Sequence, residues 1–296
     1  MAGDAVVHFL SGSTFLNGSL HLAFEKSQSG GTVLHLLRQD PPWRVVRAFT
    51  GASGQALVHL NNVSGGVLSG DQLEMRAALG AQSQAQITTT GATRIYRRRA
   101  GAGEARNWAH FELAEDSLLE LLPDPIIPYD GSCFEQKTTV SLARGATLFW
   151  WEVLTPGREA SGEVFRFEQL RVETEIRAAG IPIAIDRAWL NPAQRPLEAA
   201  ARLGNSRYLA AFYACRAGET QATWRRLEEC LYATACRISQ CSDGVRWGIS
   251  SLVRDGVVVR GMAPGGSPLL GGLSEFWQAA KLLLTGAPAT PPRKVY

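Results

Sequence analysis

The 296-residue sequence predicts a mainly β protein, a stack of short strands with two longer α-helices confined to its C-terminal third. Turn signals recur every ~8–12 residues as far as residue 190, the spacing of a sandwich, barrel or solenoid. The phrases AALGAQSQAQITTT, FELAEDSLLELLP and VSLARGATLFWWEVL share one form: an alternating strand, a small or polar turn, a second alternating strand. Such loosely repeated units favour stacked hairpins over a closed barrel. Helical periodicity appears only after Pro192.

In order, residues 20–38 read as two alternating segments about a Gly-Gly turn, a hairpin. Pro41-Pro42 breaks the chain, and 43–49 and 55–60 resume the strand rhythm. A glycine-rich stretch, 61–96, holds Gly65, Gly66, Gly70 and the lone acid Asp71, followed by strands over 72–79 and 85–90. Pro123, Pro125 and Pro128 mark an extended edge or crossing segment, because proline lacks a ladder donor. Residues 147–154 (TLFWWEVL) form the most apolar strand, with Glu152 set into it and Pro156-Gly157 closing it. Residues 196–203 predict a short helix between Pro196 and Gly204. Residues 220–238 predict the clearest helix, with Trp224, Leu227, Leu231 and Ala235 three and four apart. Residues 247–262 return to strands about Asp255-Gly256, 274–285 predict a last helix capped by Gly286, and the tail is extended. The organisation is one domain over 1–296: a β-rich core over 18–190, a mixed α/β part over 191–287 and a tail over 288–296.

The apolar fraction of 45% suffices for a large core, while 19% charged residues and eight Trp, with Trp108 and Trp247 read as exposed, favour a chain that buries surface against partners and aggregates alone. A net charge of +3 is too weak to imply nucleic-acid binding, and Arg97-Arg98-Arg99 reads as a solvated turn. Asp4, His8 and the polar cluster over 11–19 interrupt the N-terminal apolar residues, so neither a signal peptide nor an anchor is expected. No window approaches the ~20 apolar residues of a membrane span. Five cysteines without paired spacing suit reduced thiols and a cytoplasmic protein. Cys230 and Cys236 lie on different faces of their helix, so with Cys241 they read as small buried hydrophobes rather than a metal cluster.

The glycine-rich stretch carries no nucleophile beside a base. No G-x-S-x-G elbow surrounds Ser64 or Ser69, and the Gly-Lys-Ser/Thr of a phosphate loop is missing. Binding is therefore expected here rather than bond-making.

With these segments in place the sequence resembles the urease accessory protein family called UreD or UreH. The carriers are the GG-x-x-x-GD phrase (Gly65, Gly66, Gly70, Asp71), the TT-x-GATRIYR phrase ending at Arg97, and the E-x-LPDPIIP-[FY] phrase from Glu120. WWEVLTPGR, ending at Arg158, the GE-x-F-x-F phrase from Gly162 and the PPRKVY ending follow in order. Where the family usually has His-Pro-Pro-Gly-Gly, this chain has Asn62-Val63-Ser64-Gly65-Gly66; Ser69 replaces a glycine before Gly70-Asp71, and Glu152 stands where Asp is common. The resemblance implies a non-enzymatic scaffold with a β-helix-like stack of strands flanked by two helices. It further implies binding to a UreF-like partner, recruitment of a UreG-like GTPase, docking on apo-urease, and nickel(II) in transit through an internal passage with no tightly bound cofactor.

A passage for nickel needs oxygen or nitrogen ligands weak enough to release it. Asp71, Glu120, Glu152 and Asp186 are the candidate carboxylates, each in or beside an apolar run where a charge demands water or a partner. Each has a plainer alternative: Asp71 as a turn-fixing side chain, Glu152 in an ion pair with Arg158, Asp186 in a surface pair with Arg187, and Glu120 as an outward residue on its alternating strand. His59 is a further candidate, standing in for the missing family histidine. A different reading takes the chain as a carbohydrate-binding or glycoside-hydrolysing protein, with Trp108, Trp150, Trp151 and Trp247 stacking on sugar and Glu120 and Glu152 as acid and base.

Overall fold

The computed structural model describes residues 15–241 and 243–292. The expectations for residues 1–14 and for the end of the tail, 293–296, lie outside the described residues. β1 (Asn17–Lys26) and β2 (Thr32–Gln39) form the expected hairpin. Two short strands, β3 (Trp43–Arg44) and β4 (Ala48–Thr50), replace the single run expected over 43–49, and both pair with β5 (Ala56–Asn62).

From there the chain coils. β6 (Gln72–Leu79) lies in a first sheet, β7 (Gln84–Thr89) in a second, and the short β8 (Thr93–Ile95) closes the turn. β9 (Ala105–Leu113), β10 (Leu118–Leu122) and β11 (Ile126–Pro128) repeat the circuit, and β12 (Cys133–Leu142) and β13 (Thr147–Leu154) begin it again. β14 (Gln169–Ala178) is the last parallel strand of the first sheet, with β15 (Ile181–Leu190) antiparallel at its edge. β16 (Tyr208–Arg216), then α1 (Gln221–Gln240), β17 (Arg246–Ser251), β18 (Gly256–Ala263) and α2 (Gly266–Thr285) complete the chain, these strands extending the second sheet antiparallel. The first sheet runs β15-β14-β12-β9-β6-β1-β2 and the second β17-β18-β16-β13-β10-β7-β5-β3. The architecture is thus mainly β, a β-helix-like stack with two flanking helices.

The three repeated phrases are corners rather than hairpins. Each passes from a strand of the first sheet to one of the second, and each strand pairs in parallel with its counterpart one coil away. Gln82, Asp116 and Gly145 hold left-handed φ values of 59°, 56° and 74° at equivalent places. Gln82 N–H donates to Glu115 O at 2.9 Å and Asp116 N–H to Arg144 O at 3.1 Å, so one corner seats on the next. In the third, a Cβ on Gly145 would lie 1.9 Å from Asp116 Oδ1, so a larger residue there would have to displace that side chain besides adopting the left-handed φ.

Both helices pack on the outer face of the second sheet. α1 buries Trp224, Leu227, Leu231 and Ala235, the residues that its periodicity picks out. α2 starts at Gly266 rather than 274, because packing overrides poor propensity. Pro268 sits in the first turn, where helix N–H groups lack partners anyway. Gly272 lets the helix meet Trp247, whose ring would lie 2.3 Å from a Cβ there. Trp247 also packs edge-on against Phe276 at 4.9 Å, so it is a packing residue rather than an exposed one. The helix expected over 196–203 is a run of turns. Within it Leu197 alone is fully buried, which leaves no apolar stripe to stabilise so short a helix.

Glu120 ties these layers together. On β10, Leu119 and Leu121 face the interior between the sheets, while Leu118, Glu120 and Leu122 face the helices. Its fully buried carboxylate receives Lys281 Nζ at 2.9 Å, Trp277 Nε1 at 2.8 Å and Gln86 Nε2 at 3.3 Å. Gln86 also donates to Thr290 O at 3.0 Å, which draws the described part of the tail onto the same point. Glu120 thus points away from the interior, as its plainer alternative has it, but α2 covers it and it is buried.

Breaking such a pair from one side strands a buried charge. Lys281→Met is therefore expected to destabilise the fold by about 3–5 kcal/mol, and Lys281→Met with Glu120→Gln by much less. Denaturant unfolding of the three proteins checks this, and a double variant as unstable as the single one would refute it.

Candidate functional site

The interior between the sheets changes character along the strands. At the corner end Leu79, Leu113, Leu142 and Ala178 stand in one in-register row across the first sheet. At the other end the equivalent row is Leu73, Asn107, Gln136 and Val172. Two cavities open there. The first, about 270 Å³, is bordered by Asn61, Asn62, Gly66, Thr90 and Arg94 of the glycine-rich stretch and reaches inward to Asn107, Gln136 and Trp150. The second, about 500 Å³, lies between β15 and the antiparallel part of the second sheet, where the two sheets part. Ile126, Glu152 and Val153 line both.

Glu152 therefore stands at the divide. Gln136 on β12 reaches across the interior and donates Nε2–H to Glu152 Oε1 at 2.5 Å. Burial pushes the Glu152 carboxyl up to about 8, against the lowering by Gln136, and the nearby Asp186 charge adds to the rise. At neutral pH this carboxyl holds its proton, so a divalent cation entering must displace it, and binding is correspondingly weak. Asp186 lies in the second cavity, accepting from Tyr213 Oη at 2.9 Å and paired with Arg260 Nη1 at 2.7 Å. Tyr213 stacks on Trp150, ring centroids 5.4 Å apart, so an aromatic pair flanks the divide. Burial and Asp186 raise the Tyr213 phenol far above its usual range, keeping it a proton donor.

Of the candidate residues, the structure brings Glu152 and Asp186 together and leaves the others apart. The plainer alternatives for these two are corrected: Arg158 pairs with Glu163, and Arg187 faces Glu173. Asp71 is fully buried and accepts Leu68 N–H at 2.9 Å, which is the turn chemistry of its alternative, and Leu16 N–H at 2.9 Å, which ties the turn to the start of the described chain. Glu120 lies beneath α2, outside both linings. His59 points away from the interior that Val58 and Leu60 face, its ring edge-on to Phe49 at 5.8 Å. Cys230 is partly buried and Cys236 and Cys241 are exposed, which corrects their reading as buried hydrophobes. Among the described residues no group of three or more His, Cys, Asp or Glu converges to hold a metal ion.

The acid and base of the glycosidase reading do not form a pair. Glu120 and Glu152 face opposite sides of the second sheet, and Trp150 and Trp151 are buried, so neither offers a sugar platform. That reading is overturned.

The mouth of the first cavity accounts for the departures at Asn62 and Ser64. Asn62 Oδ1 accepts from Ser64 N–H at 3.0 Å and its Nδ2 donates to Gly66 O at 3.0 Å. Side-chain hydrogen bonds thus stiffen the turn that two prolines would stiffen otherwise. Gly66 lies against Tyr96, whose ring would be 2.5 Å from a Cβ at that position.

Three residues at the site escape sequence reasoning about carboxylates. Gln136 and Asn107 are polar side chains at inward positions of alternating strands, a signal legible in CFEQKTTVSL once its period is set. The Asn107 Oδ1 atom is buried without a hydrogen-bond partner. Tyr213 lies on β16, whose alanine-rich sequence is a weak strand signal.

A family model described as UreD urease accessory protein matches residues 16–296. The urease accessory protein UreD of Herpetosiphon aurantiacus is 42% identical over 284 residues, spanning 95% of this chain and 97% of its own. The UreD of Opitutus terrae is 31% identical over 256 residues, spanning 85% and 89%. The urease accessory protein UreD 2 of Streptomyces griseus is 32% identical over 291 residues, spanning 96% and 95%.

A carboxyl whose proton is held more tightly in the native state stabilises the fold at low pH and loses that contribution as pH rises. Wild type is expected to lose about 2 kcal/mol relative to Glu152→Gln between about pH 5 and 8.5, a figure discounted for water in the cavities. Unfolding free energies across that range check it, and parallel profiles would refute it.

Proposed function

This chain belongs to the UreD urease accessory protein family, and we propose that it is a cytoplasmic scaffold that passes nickel(II) through its interior to apo-urease while bound to a UreF-like partner, which brings a UreG-like GTPase. The family is one of urease accessory proteins, so the chain serves urease maturation and is not an enzyme. Among the described residues no helix is long and apolar enough to cross a membrane.

The observation that carries the route is the meeting of two cavities at Glu152. The groups along it are a free amide oxygen on Asn107, the Gln136 amide, the Glu152 carboxyl, the Asp186 carboxylate and the Tyr213 hydroxyl. Oxygen donors of this kind bind nickel(II) less tightly than thiolate cages do, which suits a cation that must move on. Partner binding is supported by apolar side chains left in solvent, Val46 at 82% and Leu37 at 68% exposure among them. Asp71 and Glu120 serve in this reading as structural carboxylates, because backbone amides and Lys281 already occupy them.

Co-expression with urease, the UreF-like protein and the UreG-like GTPase tests the reading. Glu152→Ala is expected to leave assembly intact by size-exclusion chromatography and to lower urease nickel content and activity at least tenfold, a loss of about 1.4 kcal/mol or more in transfer. Full activation without this chain would overturn the scaffold role. Normal activation by Glu152→Ala would remove only that residue from the route.

A further inference from the structure

The wider end of the interior is electropositive. Arg202, Arg246 and Arg260 all line the cavity of about 500 Å³. Arg260 is shared with Asp186 and remains 57% exposed. Arg202 and Arg246 are exposed and make no side-chain hydrogen bond or ion pair among the described residues. Three guanidinium groups thus face two carboxyl groups, Asp186 and Glu152, and the rest of the wall is largely apolar, with Leu203, Leu209 and Met262 among it. A dication leaving by this mouth approaches like charges at an exposed rim, a repulsion that countercharge on the three guanidinium groups would remove.

Resting on the passage described under the proposed function, we propose that an acidic segment of a protein partner docks over this mouth. Its carboxylates pair with Arg202, Arg246 and Arg260, its apolar side chains rest on Leu203 and Met262, and the pairing makes the mouth passable to a cation. Guanidinium forks favour two-pronged carboxylate pairing, which orients the segment as well as attracting it. A second copy of the chain fits poorly, since a two-fold contact sets this arginine patch against itself. The chain's own ends fit no better: residues 293–296 include Arg293 and Lys294, and residues 1–14 contain one acid, Asp4.

The test uses the full chain co-expressed with urease and its accessory proteins. Arg202→Glu with Arg246→Glu is expected to weaken retention of a urease-system component at least tenfold at unchanged melting temperature. Arg202→Lys with Arg246→Lys keeps the charge and is expected to lose far less. Wild-type retention should fall as salt rises from about 0.1 to 1 M, where the screening length shrinks from ~10 to ~3 Å. Retention of the Glu variant at wild-type level, or salt-independent retention by wild type, overturns the proposal. So does a wild-type chain that dimerises alone while the Glu variant stays monomeric, which assigns the face to a second copy. A wild-type chain that retains no component at all overturns the proposed function itself, and so is distinct from these outcomes.

Discussion

In-register parallel pairing of β6, β9, β12 and β14 is the constraint on which the rest of the molecule depends. Because side chains alternate strictly along a strand, register decides which residues share the interior, and a slip of one residue would turn every one of them out. The same register stacks each position on its counterpart in the next coil. Leucines therefore meet leucines at the corner end, and Asn107 meets Gln136 at the other. An apolar end and a polar end follow from one pairing scheme, and the cavities lie where the row becomes polar.

Two glutamates of the second sheet, Glu120 buried and Glu152 on a cavity wall, show how surroundings assign roles to identical side chains. Glu120 faces an ammonium and an indole N–H, and its charge binds a helix to the sheet. Glu152 faces an amide donor and a neighbouring carboxylate, and holds its proton instead. A buried charge persists where a countercharge meets it and is otherwise neutralised by protonation. One glutamate is thereby a fastening, and the other a proton-holding group at the divide between two cavities.

The second cavity exists because the two sheets end differently. The first stops at the hairpin of β14 and β15, whereas the second continues through β16, β18 and β17 under the cover of α1 and α2. Interior apolar wall and surface arginines consequently meet at one rim. Its positive potential is a property of the assembled edges: Arg202, Arg246 and Arg260 come from a loop and two strands.

Local sequence determined the strands over 72–79 and 147–154, the amphipathic face of α1 and the hairpin about Asp255-Gly256, since each is a matter of period or turn chemistry within a few residues. Quoted motifs also placed the chain in its family, because short phrases in fixed order survive without any knowledge of contacts. The sequence marked Asp71, Glu120, Glu152 and Asp186 as acids in apolar settings but could not separate them, as burial is common to all and the partner is not. Only the tertiary structure decided that Asp71 would meet backbone amides, Glu120 a lysine 161 positions along the chain by number, and Glu152 a cavity shared from both sides. It likewise started α2 at Gly266, where local propensity opposes a helix and contact with Trp247 favours one. The physical reason is the same throughout: periodicity is written along the chain, whereas solvation, countercharge and close approach depend on residues that the fold brings from elsewhere.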